Sequence, residues 1–363
     1  MFKNKIKYLL SSLFCVEIAL AISFLVMLAL SFSFEKTISE FAVFISGGSF
    51  YYTLLGTIKK VLTLSAPMLC CSMAIILPFK TGIFNIGVTN QFIFASLGTI
   101  IFALKFKCHY LICILAGSIF GILIALIPVL LKVYFSVNEI ISGILLNYIT
   151  LNFVNYIYKI FLMDLVNVGD GFKTYRIPNV LPGAIAGSNF SYAFILAILI
   201  SLLVYLFLEK TTYGFSVKAS GTNYAAATYV GINVEKNMIL TMVIAGALAG
   251  IGSSIYYLSG IEEWCIISQS LPQFTSNSIV VAFFSQMNPI GAIFSAFLIS
   301  LLRPGSAVMS QSLFPKEIGN MAIAIIIYIM LFNSKIIGFF NDDSEANNKF
   351  IKTKVSQKIN KSE

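Results

Sequence analysis

The chain has 363 residues, 58% of them hydrophobic and only 11% charged, about half the charged share of a soluble domain. That composition excludes a soluble globular protein and predicts an all-α, polytopic transmembrane bundle of about ten helices with broken or re-entrant elements. The net charge of +9 comes from basic residues scattered over chain ends and loop edges, which fits the positive-inside bias of membrane proteins and excludes nucleic acid as a partner.

Lys3, Lys5 and Lys7 precede an apolar run over 9–32 that is too long for a signal-peptide core, so it reads as an uncleaved anchor with its basic end in the cytoplasm. Glu17 lies within this run, where a helix-contact or interfacial role competes with a transport role. Residues 33–52 are expected to form a short external connection, and 61–78 the second span.

The next segment, 81–104, has the apolar content of a span, but Gly82, Asn85, Gly87, Asn90 and Gln91 crowd its first half. Backbone freed by a glycine-broken helix is tolerated at membrane depth only where protein or a watery cavity covers it. Asn85, Asn90 and Gln91 are therefore candidates to line a solute path, and the competing account is hydrogen bonding between helices. No charged residue is present there, so the solute is expected to be neutral.

Gly117 and Gly121 in the 110–133 span have the spacing of a close-packed helix contact. Ser136 and Glu139 have capping-box spacing before the next span. Along that span, Tyr148, Asn152, Asn155 and Tyr156 share a face, with Asn147 beside it. Phenols and amides so arranged suit a neutral polar ring, which adds Asn147 and Tyr148 to the candidate path; interhelical bonding again competes.

An external loop over 164–188 and a span over 192–208 lead to a polar loop, 211–236. Within it NYAAATYV (223–230) is a short helix-prone run with N-cap chemistry before it and Gly231 as its stop. A helix of about eight residues does not persist alone in water, so it either inserts its small, aromatic face into a groove on another protein or packs on its own chain.

The span that follows pairs Gly246 with Gly250, implying close contact with a neighbouring helix. After Tyr257 the pattern breaks: 260–278 carries Glu262, Glu263, the only tryptophan, Trp264, and Pro272. The apolar run 279–284 is too short to cross, so a re-entrant element is expected, with Trp264 as an interface anchor. Two more helices follow, and the polar tail after Lys335 is expected to be disordered.

The expected organisation is a transmembrane permease domain over 1–335 and a cytoplasmic tail over 336–363, both termini in the cytoplasm of a multi-pass cell-membrane protein. Lys80, Lys132 and Lys210 then face inward, whereas Lys59, Lys60, Lys105 and Lys107 fall outside against the charge rule. No P-loop, HExxH or G-x-S-x-G motif occurs, His109 is the only histidine, and the six cysteines lack CxxC spacing. No catalytic residue, metal ligand or cofactor is therefore expected in this chain.

Five stretches occur in order: GIFNIGVTNQF (82–92), NEIISGILLNYI (138–149), TTYGFSVKASGTNYAAATYVGINVEKN (211–237), AGALAGI (245–251) and NPIGAIFSAFL (288–298). Together they resemble the permease subunits of ABC importers for simple sugars and nucleosides, in the branched-chain amino acid and ribose permease superfamily, and the first two look closest to the nucleoside branch. The resemblance implies a transmembrane half-importer for a neutral polar solute. Its implied partners are a second permease, a cytoplasmic ABC ATPase that uses the ATP, and an external solute-binding protein or lipoprotein.

It also implies that the loop around 223–230 docks on the ATPase, pointing to Gly221, Asn223, Ala226, Gly231 and Asn233. One departure is LPQFTSNSIVVAFFSQ (271–286), where relatives commonly carry a glycine-bearing run. An ion-coupled secondary transporter is the alternative class; it would need intramembrane carboxylates, and Glu17 is the one clear candidate. A membrane enzyme is a third.

Overall fold

The computed structural model describes residues 17–29, 34–48, 54–177, 192–260, 262–309 and 316–331. The expected tail, the basic N-terminal end and residues 178–188 of the expected external loop lie outside these residues. The chain divides into two compact units, one of Met1–Phe44 with Ser306–Glu363 and one of Ile45–Gly305.

In the first unit lie α1 (Glu17–Ala29), α2 (Phe34–Ile45) and α13 (Lys316–Leu331). The Ser23 hydroxyl, buried in α1, reaches the carbonyl oxygens of Ala19 at 2.8 Å and of Ala322 in α13 at 3.3 Å. Phe24 meets Phe41 edge-on at 5.1 Å between ring centres. α2 stands where the sequence suggested a connection. Its buried residues Thr37, Glu40, Val43 and Phe44 recur at helical spacing, the signature of an amphipathic helix, which the charges of Glu35, Lys36 and Glu40 obscured.

The second unit holds α3 (Leu54–Phe79), α4 (Val88–Ile100), α5 (Tyr110–Phe135), α6 (Glu139–Phe161), α7 (Ala193–Lys210), α8 (Thr212–Thr222), α9 (Tyr224–Tyr229), α10 (Val234–Leu258), α11 (Gln273–Phe284) and most of α12 (Pro289–Met309). A hairpin, β1 (Val166–Asn167) with β2 (Lys173–Thr174), joins α6 towards α7. Among the described residues seven helices are long and apolar enough to cross a membrane. α3 is central and buried over nearly its whole span, whereas most of α5, α6 and α7 is exposed on apolar residues such as Leu115 and Leu203.

The tightest crossing is that of α5 on α10. A β-carbon placed on Gly121 would overlap the Gly246 carbonyl oxygen, and one on Gly250 would overlap that of Gly117. The two small-residue motifs thus face each other, and backbone contact replaces the side-chain burial that cannot drive association in lipid.

Two details depart from expectation. Ser136 does not cap α6; it terminates α5 in a left-handed conformation (φ 55°), while the Asn138 side chain accepts from the amides of Ile140 and Ile141. Glu139 pairs with Lys132 at 2.6 Å. After Tyr257, where a re-entrant element is expected, the chain forms α11, whose 12 residues are too few to cross a bilayer, followed by Gln286 and Met287 in left-handed conformations before α12.

Candidate functional site

Three features cluster along the core of the larger unit. At the end where α3 stops, the chain breaks before α4. Thr81 Oγ1 donates to the Pro78 carbonyl at 2.6 Å and lies 3.2 Å from Thr241 Oγ1 of α10. Gly82 adopts φ +85°, and Gly221 packs opposite it so closely that a β-carbon on Gly221 would overlap the Lys80 carbonyl oxygen. Burial lowers the pKa of the half-buried Lys80 ammonium; Glu209 opposes that shift and Lys218 adds to it.

Deeper in, the unwound segment is stitched by amides. Asn85 Nδ2 donates to the Ala74 carbonyl at 3.0 Å, and Asn85 and Gln91 exchange two bonds of 3.2 Å. The Asn147 side chain accepts from the Asn90 backbone amide at 3.0 Å. These four residues are buried, as the need to satisfy freed backbone at membrane depth requires. Both polar atoms of the Asn90 side chain, however, lack a partner. The other side-chain amides of this set, those of Asn85, Gln91 and Asn147, bond to one another and to backbone. Tyr148 stands apart from them, half exposed on the outside of α6, as are Asn152 and Tyr156. The expected phenol-and-amide face is therefore split, with Asn147 and Asn155 turned inward.

The second feature is a protrusion made by α8 and α9. Thr211 caps α8 through the Gly214 amide at 3.0 Å, and Asn237 Nδ2 donates to Ser220 Oγ at 2.9 Å, fixing α8 to α10. Helix α8 stands where the glycines and hydroxyls of the sequence suggest a loop; the Thr211 cap is the local signal for it. Asn223 Oδ1 caps α9 by accepting from the Ala226 amide at 3.1 Å, and Asn233 Oδ1 caps α10 from the Lys236 amide at 2.9 Å. Gly231 ends α9 at φ +89°. Thus of the five expected coupling residues Gly221 lies in the last turn of α8, and the other four lie between α8 and α10, with Asn223 capping α9 and Asn233 capping α10. Within α9 only Ala227 is buried; Tyr229 is 94% exposed and Val230, just after it, 77%.

The third feature was not legible as a site. At the opposite end of α10, residues 262–274 fold inward and line a cavity of ≈260 Å³ with Leu151, Tyr256, Tyr257 and Arg303. Trp264 is 4% exposed, not an interface anchor. Its indole N–H donates to Asn155 Oδ1 at 2.9 Å, Asn155 Nδ2 donates to the Ser268 carbonyl at 3.2 Å, and the Trp264 amide donates to Thr174 Oγ1 at 3.1 Å. The Tyr256 hydroxyl donates to Glu262 at 2.6 Å, and the Arg303 guanidinium lies 5.5 Å from the Phe274 ring centre. The clue was the coincidence of Glu262, Glu263 and Trp264 in the interrupted stretch with an inward amide on α6.

An exposed protrusion seated on a broken helix, with a lined cavity at the far end of the same bundle, is an arrangement suited to moving a solute. The model of the family described as branched-chain amino acid transport system / permease component matches residues 57–331. The chain belongs to this family. The permease is 30% identical to the nucleoside ABC transporter permease protein NupB of Lactococcus lactis subsp. cremoris, the match covering 76% of this chain and 79% of that one. It is 28% identical to the guanosine ABC transporter permease protein NupP of Bacillus subtilis, over 89% of this chain and 93% of that one. A second guanosine ABC transporter permease protein of Bacillus subtilis, NupQ, is 25% identical over 75% of this chain and 88% of that protein. The permease is thus a membrane protein of the ABC transport class, and its family is one of transport permeases.

Proposed function

We propose that this permease forms one transmembrane half of an ATP-driven importer of nucleosides. ATP is bound and hydrolysed by separate cytoplasmic subunits, a second permease completes the membrane pore, and an external solute-binding protein or lipoprotein delivers the solute. The names of the relatives support the solute class, and the match to two permeases named for guanosine transport in one organism supports a two-permease pore.

The observation that carries the mechanism is the contact of Gly221 with the Lys80–Gly82 corner. In this reading the α8–α9 protrusion is cytoplasmic, with Tyr229 and Val230 inserted into a groove on the ATPase. A shift of α8 bears directly on the unwound segment before α4, whose amides then exchange partners and open a route past Asn85, Asn90, Gln91 and Asn147. The ATPase acts only through a difference in its contacts between two states of the bundle. Both termini and Lys80, Lys132 and Lys210 lie on the same, inner side of the cell membrane.

Uptake of radiolabelled guanosine, uridine and ribose by intact cells with and without this chain tests the reading. Nucleoside uptake that depends on the chain supports it, and an unchanged profile for all three solutes contradicts it.

A further inference from the structure

The cavity between the end of α10 and the start of α11 has chemistry that neither coupling nor gating uses. Its volume of ≈260 Å³ is just under the range of roughly 300–1,000 Å³ common for small-molecule pockets, enough for one small solute. Four aromatic side chains, Tyr256, Tyr257, Trp264 and Phe274, line it; the Tyr256 and Phe274 rings lie 4.7 Å apart between centres, tilted by 44°, and both meet the buried ring of Phe92.

Trp264 is held by Asn155 and Thr174, so the wall is rigid before any ligand arrives. Among these rings Glu262 is exposed, with one carboxylate oxygen accepting from the Tyr256 hydroxyl. The exposed Gln273 and Ser270 add neutral donors and acceptors to the lining. Glu263 is already paired with Arg176 at 4.0 Å, so the negative charge offered to a solute is the Glu262 carboxylate, which repels a phosphate placed against it.

We propose that this cavity is the permease's own receiving site for a nucleoside, with the base against the Tyr256–Phe274 aromatic wall and the ribose hydroxyls donating to the Glu262 carboxylate. The assignment rests on the nucleoside reading above and names the residues that would select for it. A flat base matches aromatic faces. A carboxylate that accepts from two vicinal hydroxyls favours solutes that carry them, through charge-assisted hydrogen bonds that a solute lacking them does not make.

The test uses the purified full chain in lipid nanodiscs. Trp264 is the only tryptophan of the chain and lines the cavity, so its fluorescence is a direct reporter. Guanosine is titrated beside 2′,3′-dideoxyguanosine, guanosine monophosphate and glucose.

The expected result is saturable quenching by guanosine and at least about tenfold weaker binding of the dideoxy analogue, the scale of a hydrogen bond to a charged group. Guanosine monophosphate and glucose should give none. In Glu262→Gln the preference for guanosine over its dideoxy analogue should collapse, whereas Phe274→Leu should weaken both ligands alike. Co-purification with the ATPase verifies that each variant is folded, and the analogue comparison on the unaltered chain stands even if a variant fails to fold.

No quenching by guanosine, quenching by glucose instead, or an unchanged preference in folded Glu262→Gln would overturn the proposal. If cells carrying the chain import guanosine while any of these results is obtained, the receiving site fails alone; if they import no nucleoside, the functional reading fails with it.

Discussion

Gly221 of α8 presses its bare α-carbon against the carbonyl oxygen of Lys80, leaving no room for a β-carbon. Two further bonds flank this contact, Asn237 to Ser220 and Thr81 to Thr241, so α8, α10 and the end of α3 meet at one corner. Movement of the protrusion therefore reaches the unwound segment without intermediate side chains. Gly221→Val should force the corner apart, costing about 1–3 kcal/mol by overpacking. The expected phenotype is a complex that still hydrolyses ATP but takes up little solute, read by measuring both rates on one preparation. Uptake at the unaltered rate would show that the contact transmits nothing.

Tyr229 has almost no contact with its own chain. Its replacement by alanine should leave the thermal midpoint of the isolated permease unchanged, since exposed substitutions fall within about ±0.5 kcal/mol. Loss of an aromatic anchor from an interface typically costs about 2 kcal/mol or more, so co-purification of the ATPase should fall sharply. Ala226→Trp, on the same short helix, should do likewise.

The Trp264 indole, Asn155 and the Ser268 carbonyl form a chain of two hydrogen bonds across α6 and the re-entrant segment. Asn155→Leu strands a buried N–H and a carbonyl at a cost of about 1–3 kcal/mol. The expected observation is a lower thermal midpoint together with a red-shifted Trp264 emission as the segment loosens; Asn155→Gln should recover part of both.

Asn90 makes the opposite case. Its buried amide has no partner in this conformation, and such a group costs about 1–3 kcal/mol. Asn90→Leu, similar in volume, should raise the thermal midpoint, while Asn85→Ala should lower it by removing bonds to Ala74 and Gln91. If transport requires Asn90 to find its partners in the other state of the bundle, uptake by Asn90→Leu should fall despite the added stability.

Much of this architecture is legible in the chain because lipid imposes simple rules. Apolar runs mark the spans, and the Gly117/Gly121 and Gly246/Gly250 spacings announce the crossing of α5 on α10. The break at Gly82–Gly87 and the short run 279–284 mark the two places where backbone needs local cover. The amphipathic α2 was hidden because its Glu40 is buried, against the usual reading of a charge as a solvent signal. Helix α8 was hidden because Gly214 and Gly221 depress helix propensity, and close backbone contacts with α7 and the Lys80 corner compensate.

The candidate sites divide in the same way. Asn223 was readable because caps obey local rules, whereas Asn233 was named only through the family resemblance and proves to cap α10. The Asn85–Gln91 exchange and the Asn147 link to α4 join positions whose pairing depends on how the broken segment folds back, which spacing alone does not define. The cavity was the least legible feature: Tyr256, Trp264, Asn155 and Arg303 come from four separate stretches, and only the tertiary fold collects them.

The proposed coupling requires the α8–α9 protrusion to lie in the cytoplasm and grip a nucleotide-hydrolysing partner. A single cysteine at position 229, Tyr229→Cys in a background lacking the native cysteines, measures this most directly. In sealed, right-side-out cells a membrane-impermeant maleimide should leave it unlabelled until the membrane is opened, and a short bifunctional reagent should crosslink it to the ATPase subunit. Labelling from outside in intact cells, or a complete absence of crosslinks in a complex active for uptake, would contradict this placement.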